Sequence, residues 1–285
     1  MMRLFWFCLA AMIAFAGPAE ADDAGKRAAL LAGYPGLFVF EGNEVVFPDG
    51  TRIVWDDGKA RSAEELIAAP DIEDMFHFVY PLVGEGELVP GKDFDPGRIR
   101  NEPFFKAIYG SSAAKVGGHV VRVPWLGGAV QVSSLFGIHR KIAAVAAGMT
   151  GDLTEYGRKP GGGFNWRVIA GTDQLSVHSF GAALDINVDF SDYWRWAGVN
   201  ADPIPFKNRI PLAVVALFEA QGFIWGGRWY HYDTMHFEYR PELIAYAKGR
   251  GWLRGPCPST HPVKAPSPDP RGSTSPPEGE VRAAN

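Results

Sequence analysis

Cysteine is almost absent from this chain: Cys8 and Cys257 are the only two. A disulfide-stapled scaffold and a zinc site built of thiolates are both excluded. No charge of one sign dominates, since 28 Lys and Arg stand against 32 Asp and Glu for a formal net charge of -4. Nothing basic enough to make nucleic acid or an anionic membrane the main partner is present. Long apolar runs are missing too. The longest, from Leu4 to Ala16, has 13 residues, whereas a membrane span needs about 20. That short run follows Arg3 and precedes Ala19-Glu20-Ala21, the three-part pattern of a secretory leader. Cleavage after Ala21 is therefore expected, with export to a periplasmic or extracellular location. No stable membrane anchor is expected after that cut. Only Cys257 then remains, and no internal disulfide can form.

What is present supports a folded protein. Hydrophobic residues make up 47% of the 285 and charged residues 21%, enough for a buried core and too apolar for global disorder. From Gly255 to the end, eight of the 22 prolines fall among Ser, Thr and Gly. That composition predicts a disordered tail over 255–285. The expected organisation is a leader (1–21), an N-terminal α+β region of unknown role (22–110), a main domain (111–254) and the tail.

The local signals are mixed. Asn43 to Trp55 reads as two strands joined at Pro48-Asp49-Gly50. Ser62 and Glu65 stand at capping-box spacing before a short helix that Pro70 stops. The pattern from Phe94 to Gly110 is uninformative. Val120 to Val132 predicts a hairpin around Gly127-Gly128, and Leu135 to Met149 a helix. Gly161-Gly162-Gly163 predicts a flexible joint before a strand from Phe164 to Ala170. Arg209 to Gln221 reads as a helix with Pro211 in its first turn and Gly222 just past its end. A strand near Met235 to Tyr239 and a helix from Pro241 to Lys248 complete the domain. Separate helices and hairpin-like strands point to an α+β fold with a small, mainly antiparallel sheet.

Chemistry concentrates in two segments. Of seven histidines, His178 lies in SVHSFGAALDIN (176–187) and His236 in GFIWGGRWYHYDTMHFE (222–238). A catalytic zinc takes three protein ligands and leaves one position for water; His178, Asp185 and His236 supply two nitrogens and an oxygen. A dication lowers the pKa of water toward about 7. A carboxylate that is not a ligand must then carry the proton to the leaving amine, and Asp233 is the candidate. His178 and Asp185, seven apart, fall on opposite faces of an unbroken strand, so a turn at Gly181 is required. Asp233 and His236, three apart, need a turn through Asp233-Thr234. His231 is expected near the cleft mouth. Glu238 either orients a metal ligand or is an exposed strand residue.

These two blocks, in this order and separation, resemble the zinc D-alanyl-D-alanine carboxypeptidase family, which also contains vancomycin-resistance D,D-peptidases and phage L-alanyl-D-glutamate endolysins. The resemblance covers about residues 120–250. It implies one zinc ion held by His178, Asp185 and His236, with Asp233 as general base and acid. Asp at that position matches the endolysin-like branch; other members use Glu. The resemblance further implies an arginine on the strand before the first motif that binds a substrate carbonyl or carboxylate. Arg167 is the candidate here, though it lies closer to His178 than is usual. The implied substrate is the stem peptide of peptidoglycan, and the protein is expected to be a monomer. The implied activity is that of a D-alanyl-D-alanine carboxypeptidase; L-alanyl-D-glutamate endopeptidase and non-catalytic wall-binding module are the alternatives.

Overall fold

A computed structural model describes residues 18–84, 89–197 and 201–249. The expected leader, apart from Pro18–Ala21, and the expected tail lie outside the described residues. The elements run α1 (Pro18–Gly33), β1 (Val39–Glu41), β2 (Glu44–Val46), β3 (Arg52–Val54), α2 (Ala63–Ala68), α3 (Glu102–Tyr109) and α4 (Ala113–Gly117). Then come β4 (Val120–Trp125), β5 (Gly128–Ser133), α5 (Ile138–Gly148), α6 (Thr154–Gly157), β6 (Pro160–Gly162) and β7 (Ala183–Asn187). The order ends with α7 (Leu212–Glu219), β8 (Phe223–Trp225), β9 (His236–Tyr239) and α8 (Pro241–Gly249). The fold is mixed α+β with three small antiparallel sheets: β1-β2-β3, the β4-β5 hairpin, and β6-β7-β9-β8. Among the described residues no helix is long and apolar enough to cross a membrane.

Local chemistry explains several of these boundaries. Ser62 accepts from the Glu65 amide while the Glu65 carboxylate accepts from the Ser62 amide, so both halves of the capping box form at α2. Such a cap stabilises a helix by roughly 1 kcal/mol. The β4-β5 hairpin turns at Leu126-Gly127, where both residues have positive φ. Helix α7 begins at Leu212 with Pro211 as its N-cap rather than inside its first turn.

One expectation is overturned. The glycine run is not a joint before a strand at 164–170; Pro160–Gly162 is itself strand β6, paired with β7. From Phe164 onward the backbone bonds are divided among β5, the His178 turn and a side chain and build no continuous ladder. The Phe164 amide donates to Gln131, Asn165 to His178, and Arg167 to the Ser179 hydroxyl. Only the isolated bridge Val168–Leu175 remains. Gly163 permits the close approach. A Cβ on it would lie 2.1 Å from the Gln131 carbonyl oxygen, far inside contact distance.

One continuous hydrophobic cluster includes Leu30, Tyr34, Trp55 and Phe76 from the N-terminal region and Phe180, Phe218, Phe237 and Tyr246 from the rest. Helix α1 lies against α8, where the Tyr34 hydroxyl donates to Glu242 (3.0 Å). Phe237 projects from β9 into this core and stacks on Phe218 of α7 with ring centroids 3.8 Å apart. The opposite face of β9 is thereby free to carry polar residues.

Candidate metal centre

The central strand pair of the third sheet builds the site. Strands β7 and β9 run antiparallel with Asp185 opposite His236, Leu184 opposite Phe237 and Ala183 opposite Glu238. Residues directly opposite have Cβ atoms about 4.5–5.5 Å apart and share a face. Asp185, His236 and Glu238 thus lie on one face, with Phe237 on the other.

His178 arrives from outside the sheet. It sits in a 3-10 turn, Val177–Phe180, capped by the Ser176 hydroxyl, which accepts from the His178 amide. Gly181 ends that turn at φ +63, where a side chain is strained and where a Cβ would stand 2.9 Å from the Ser133 nitrogen. The chain reverses there and enters β7, as the seven-residue spacing requires.

The three candidate ligand atoms converge. His178 Nε2 lies 3.2 Å from Asp185 Oδ1 and 3.3 Å from His236 Nδ1, and His236 Nδ1 lies 3.0 Å from Asp185 Oδ1. A tetrahedral zinc with ligand bonds of about 2.0–2.1 Å has ligand-to-ligand edges of about 3.3 Å. The two-nitrogen, one-oxygen triangle therefore fits such an ion. Two other carboxylate groupings, Asp56-Asp57-Asp71 and Asp71-Glu73-Asp74, also bring oxygens together. Arg61 already bonds to Asp57, Asp71 and Asp74 there.

Each histidine is oriented through its second nitrogen. His178 Nδ1 donates to the Gly163 carbonyl at 2.6 Å, which leaves the Nε2 lone pair facing Asp185 and His236. His236 Nε2 meets Glu238 Oε2 at 3.0 Å. A carbonyl or carboxylate on the far nitrogen fixes tautomer and ring orientation of a metal-binding histidine. Glu238 is fully buried and is further bonded by Arg100 and Arg240. Of the two alternatives for Glu238, the exposed strand residue is ruled out by its burial, and its carboxylate orients the His236 imidazole. The i,i+2 spacing on a strand, which puts Glu238 on the face of His236, is the signal that points to it.

Electrostatics follow from this packing. Burial pushes Asp185 up, but the charges and hydrogen bonds of His178 and His236 outweigh it and hold the carboxyl well below its usual range. Burial pushes His236 down, but its bonds to Asp185 and Glu238 outweigh that and raise it to about 10. Asp233 is raised to about 6, first by burial and then by the nearby negative charge of Asp185. Its Oδ1 is buried and has no hydrogen-bond partner among the described residues. The turn expected at Asp233-Thr234 is present: the His236 amide donates to the Asp233 carbonyl (3.2 Å), and the Asp233 amide to Gly226 (3.0 Å).

Arg167 stands apart. Its main chain is tied to the His178 turn by the Ser176 amide and the Ser179 hydroxyl, yet its side chain is exposed and makes no hydrogen bond or ion pair among the described residues. His231 is held by Asp95 at both its amide (3.0 Å) and its Nδ1 (2.7 Å).

Asp95 belongs to a stretch whose sequence was silent. Phe94 accepts from the Tyr230 amide, Pro96 from the Trp229 indole and Gly97 from Arg240, while Arg100 binds Glu238. Residues 94–100 thus line the segment that carries Asp233 and His236.

Residues 170–239 match the model of a family described as D-alanyl-D-alanine carboxypeptidase. The matched segment contains His178, Asp185, Asp233, His236 and Glu238, and it bears out the resemblance carried by the two motifs. Arg167, Gly163 and Arg100 precede it. No curated protein and no solved structure matches the chain.

Proposed function

We propose that this chain is an exported zinc peptidase that hydrolyses amide bonds in peptidoglycan stem peptides, in the manner of a D-alanyl-D-alanine carboxypeptidase. The observation that carries the reading is the triangle of His178 Nε2, His236 Nδ1 and Asp185 Oδ1, with edges of 3.0–3.3 Å, near a buried oxygen of Asp233 that has no hydrogen-bond partner among the described residues. The matched family supports a peptidase. The apolar leader supports export, which puts the protein where such substrates lie.

His178, Asp185 and His236 would hold the ion. A bound zinc supplies Lewis acidity to a scissile carbonyl and to attacking water. The rest falls to the protein. Among the described residues Asp233 carries no competing hydrogen bond on Oδ1, so that oxygen is free to take the proton of the attacking water. A pKa raised to about 6 leaves it ionised near neutral pH and acidic enough to return the proton to the leaving nitrogen. Gly163 and Glu238 keep the two imidazoles aimed throughout. Asp185 adds a half-buried negative charge that offsets part of the dication's charge.

A second reading is favoured by one observation. A carboxypeptidase binds a free terminal carboxylate, for which a planar guanidinium fork is suited, but Arg167 is exposed and unanchored. That favours an endopeptidase with an open groove, cutting between L-Ala and D-Glu.

Mass spectrometry of muropeptides incubated with the protein, with and without a zinc chelator, tests both. Chelator-sensitive loss of one alanine supports the carboxypeptidase. Release of a peptide beginning at D-Glu supports the endopeptidase. Absence of any product with zinc bound overturns the catalytic reading in favour of a wall-binding module.

A further inference from the structure

We infer that Arg100 is a positioning residue for His236, acting through Glu238, so that the metal centre depends on a side chain 70 residues before the matched segment begins. The inference rests on the metal-site reading above.

Arg100 and His236 meet on the same oxygen of Glu238. Glu238 Oε2 receives Arg100 Nη2 at 2.9 Å and His236 Nε2 at 3.0 Å. Arg100 Nε also reaches Oε1 at 3.3 Å, which makes the contact a two-pronged fork. A planar guanidinium in that arrangement fixes the rotation of the carboxylate as well as its position. Arg240 does not duplicate this. It touches only Oε1 (3.1 Å), and its remaining bonds go to Glu242 and the Gly97 carbonyl. Without the Arg100 fork, Glu238 keeps one anchor on the wrong oxygen, and Oε2 is free to swing from His236.

A second contact acts in the same direction. The Arg100 guanidinium lies 6.0 Å from the Trp229 ring centroid, and Trp229 packs against the His236 ring at 5.5 Å. Arg100 therefore reaches His236 by two indirect routes, through a carboxylate and through an aromatic ring.

Its own placement is rigid. The next residue, Asn101, caps α3 by accepting from the Phe104 amide (2.8 Å) and donates to the Pro70 carbonyl (2.8 Å). The preceding Ile99 is buried. The backbone that presents Arg100 is thus pinned to the N-terminal region, which acquires a role as outer support of the site.

Removing an outer partner of a metal-binding histidine costs about 10–100-fold in affinity. The test uses the full chain and its variants Arg100→Gln, Arg100→Lys and Arg52→Gln. Zinc affinity is read by chelator competition, and coordination by the visible absorption of bound Co2+. Arg100→Gln is expected to lose about 10–100-fold in zinc affinity and to alter the Co2+ spectrum. Arg100→Lys keeps the charge without the fork and shows a smaller loss in the same direction; it serves as the test if Arg100→Gln fails to fold. Arg52→Gln removes a guanidinium that pairs with Glu41 and Glu44 on the first sheet and touches neither Glu238 nor the candidate ligands; it leaves both readouts unchanged, which separates positioning from a general effect of losing an arginine. Zinc affinity within about twofold of wild type and an unaltered Co2+ spectrum in the Arg100 variants overturn the inference alone. A wild-type chain that takes neither metal overturns the metal-site reading and the inference with it.

Discussion

Asp185 and His236 face each other as a directly opposed pair in neighbouring antiparallel strands, with Oδ1 and Nδ1 3.0 Å apart. The pairing register itself brings two candidate ligands together from positions 51 residues apart in the chain. A one-residue slip would send every side chain of β9 to the opposite face, exchanging His236 for Phe237. Phe237 stacked on Phe218 guards against that slip, because it would put an aromatic ring at the site and an imidazole in the core.

The first prediction separates binding from chemistry. Asp185→Ala or His236→Ala abolishes stoichiometric zinc uptake, measured by metal analysis after dialysis. Asp233→Asn keeps zinc but lowers muropeptide hydrolysis by about 10²–10⁴-fold, the range for a lost general base. Full activity in Asp233→Asn would remove Asp233 from the mechanism.

Metal uptake should depend on pH. His236 is raised to about 10, so at neutral pH it holds a proton that any metal must displace. Affinity therefore rises with pH below about 10, by up to about a decade per unit, and titration calorimetry in two buffers of different ionisation heat detects the released proton. Equal affinity at pH 6.5 and 8.5 would contradict this.

Turnover has its own acid limb. Asp233, with its pKa raised to about 6, loses its base function as pH falls through that value. A bound dication favours the carboxylate and moves the midpoint lower. The limb in kcat/KM is expected at or below about pH 6, and to be absent in Asp233→Asn.

Glu238→Leu is expected to be severe. It removes the carboxylate facing both Arg100 and the fully buried Arg240. Breaking one side of a buried charge pair costs about 3–5 kcal/mol, readable as a drop in chemical denaturation midpoint. A stability loss below about 1 kcal/mol would mean these arginines find other partners.

Arg167→Ala distinguishes the two peptidase readings. With no side-chain partner among the described residues, its loss should leave stability within about 0.5 kcal/mol. A carboxypeptidase that uses Arg167 for the substrate terminus shows a raised KM for D-Ala-D-Ala peptides. An endopeptidase with an open groove shows no change.

Much of the site was legible in the residues themselves. Ligand chemistry restricted the candidates to a few types, and period-two alternation demanded turns at Gly181 and at Asp233-Thr234, both of which form. Caps and turns such as Ser62-Glu65 and Gly127 were equally readable, because they depend on neighbours in the chain. The glycine run at 161–163 was misread for a related reason: a missing Cβ looks like freedom locally, whereas here it admits the Gln131 carbonyl and puts the Gly163 oxygen on His178.

The sequence by itself determined which atoms could hold a metal and which carboxylate could carry a proton, since those properties belong to individual side chains. Only the tertiary structure decided what holds them in place. Residues 94–100 carry no periodic signal, and their value lies in contacts with residues more than 130 positions away, such as Arg100 with Glu238 and Asp95 with His231. Such pairings are set by how the sheet, α1 and α8 share one core. Local spacing has no information about that.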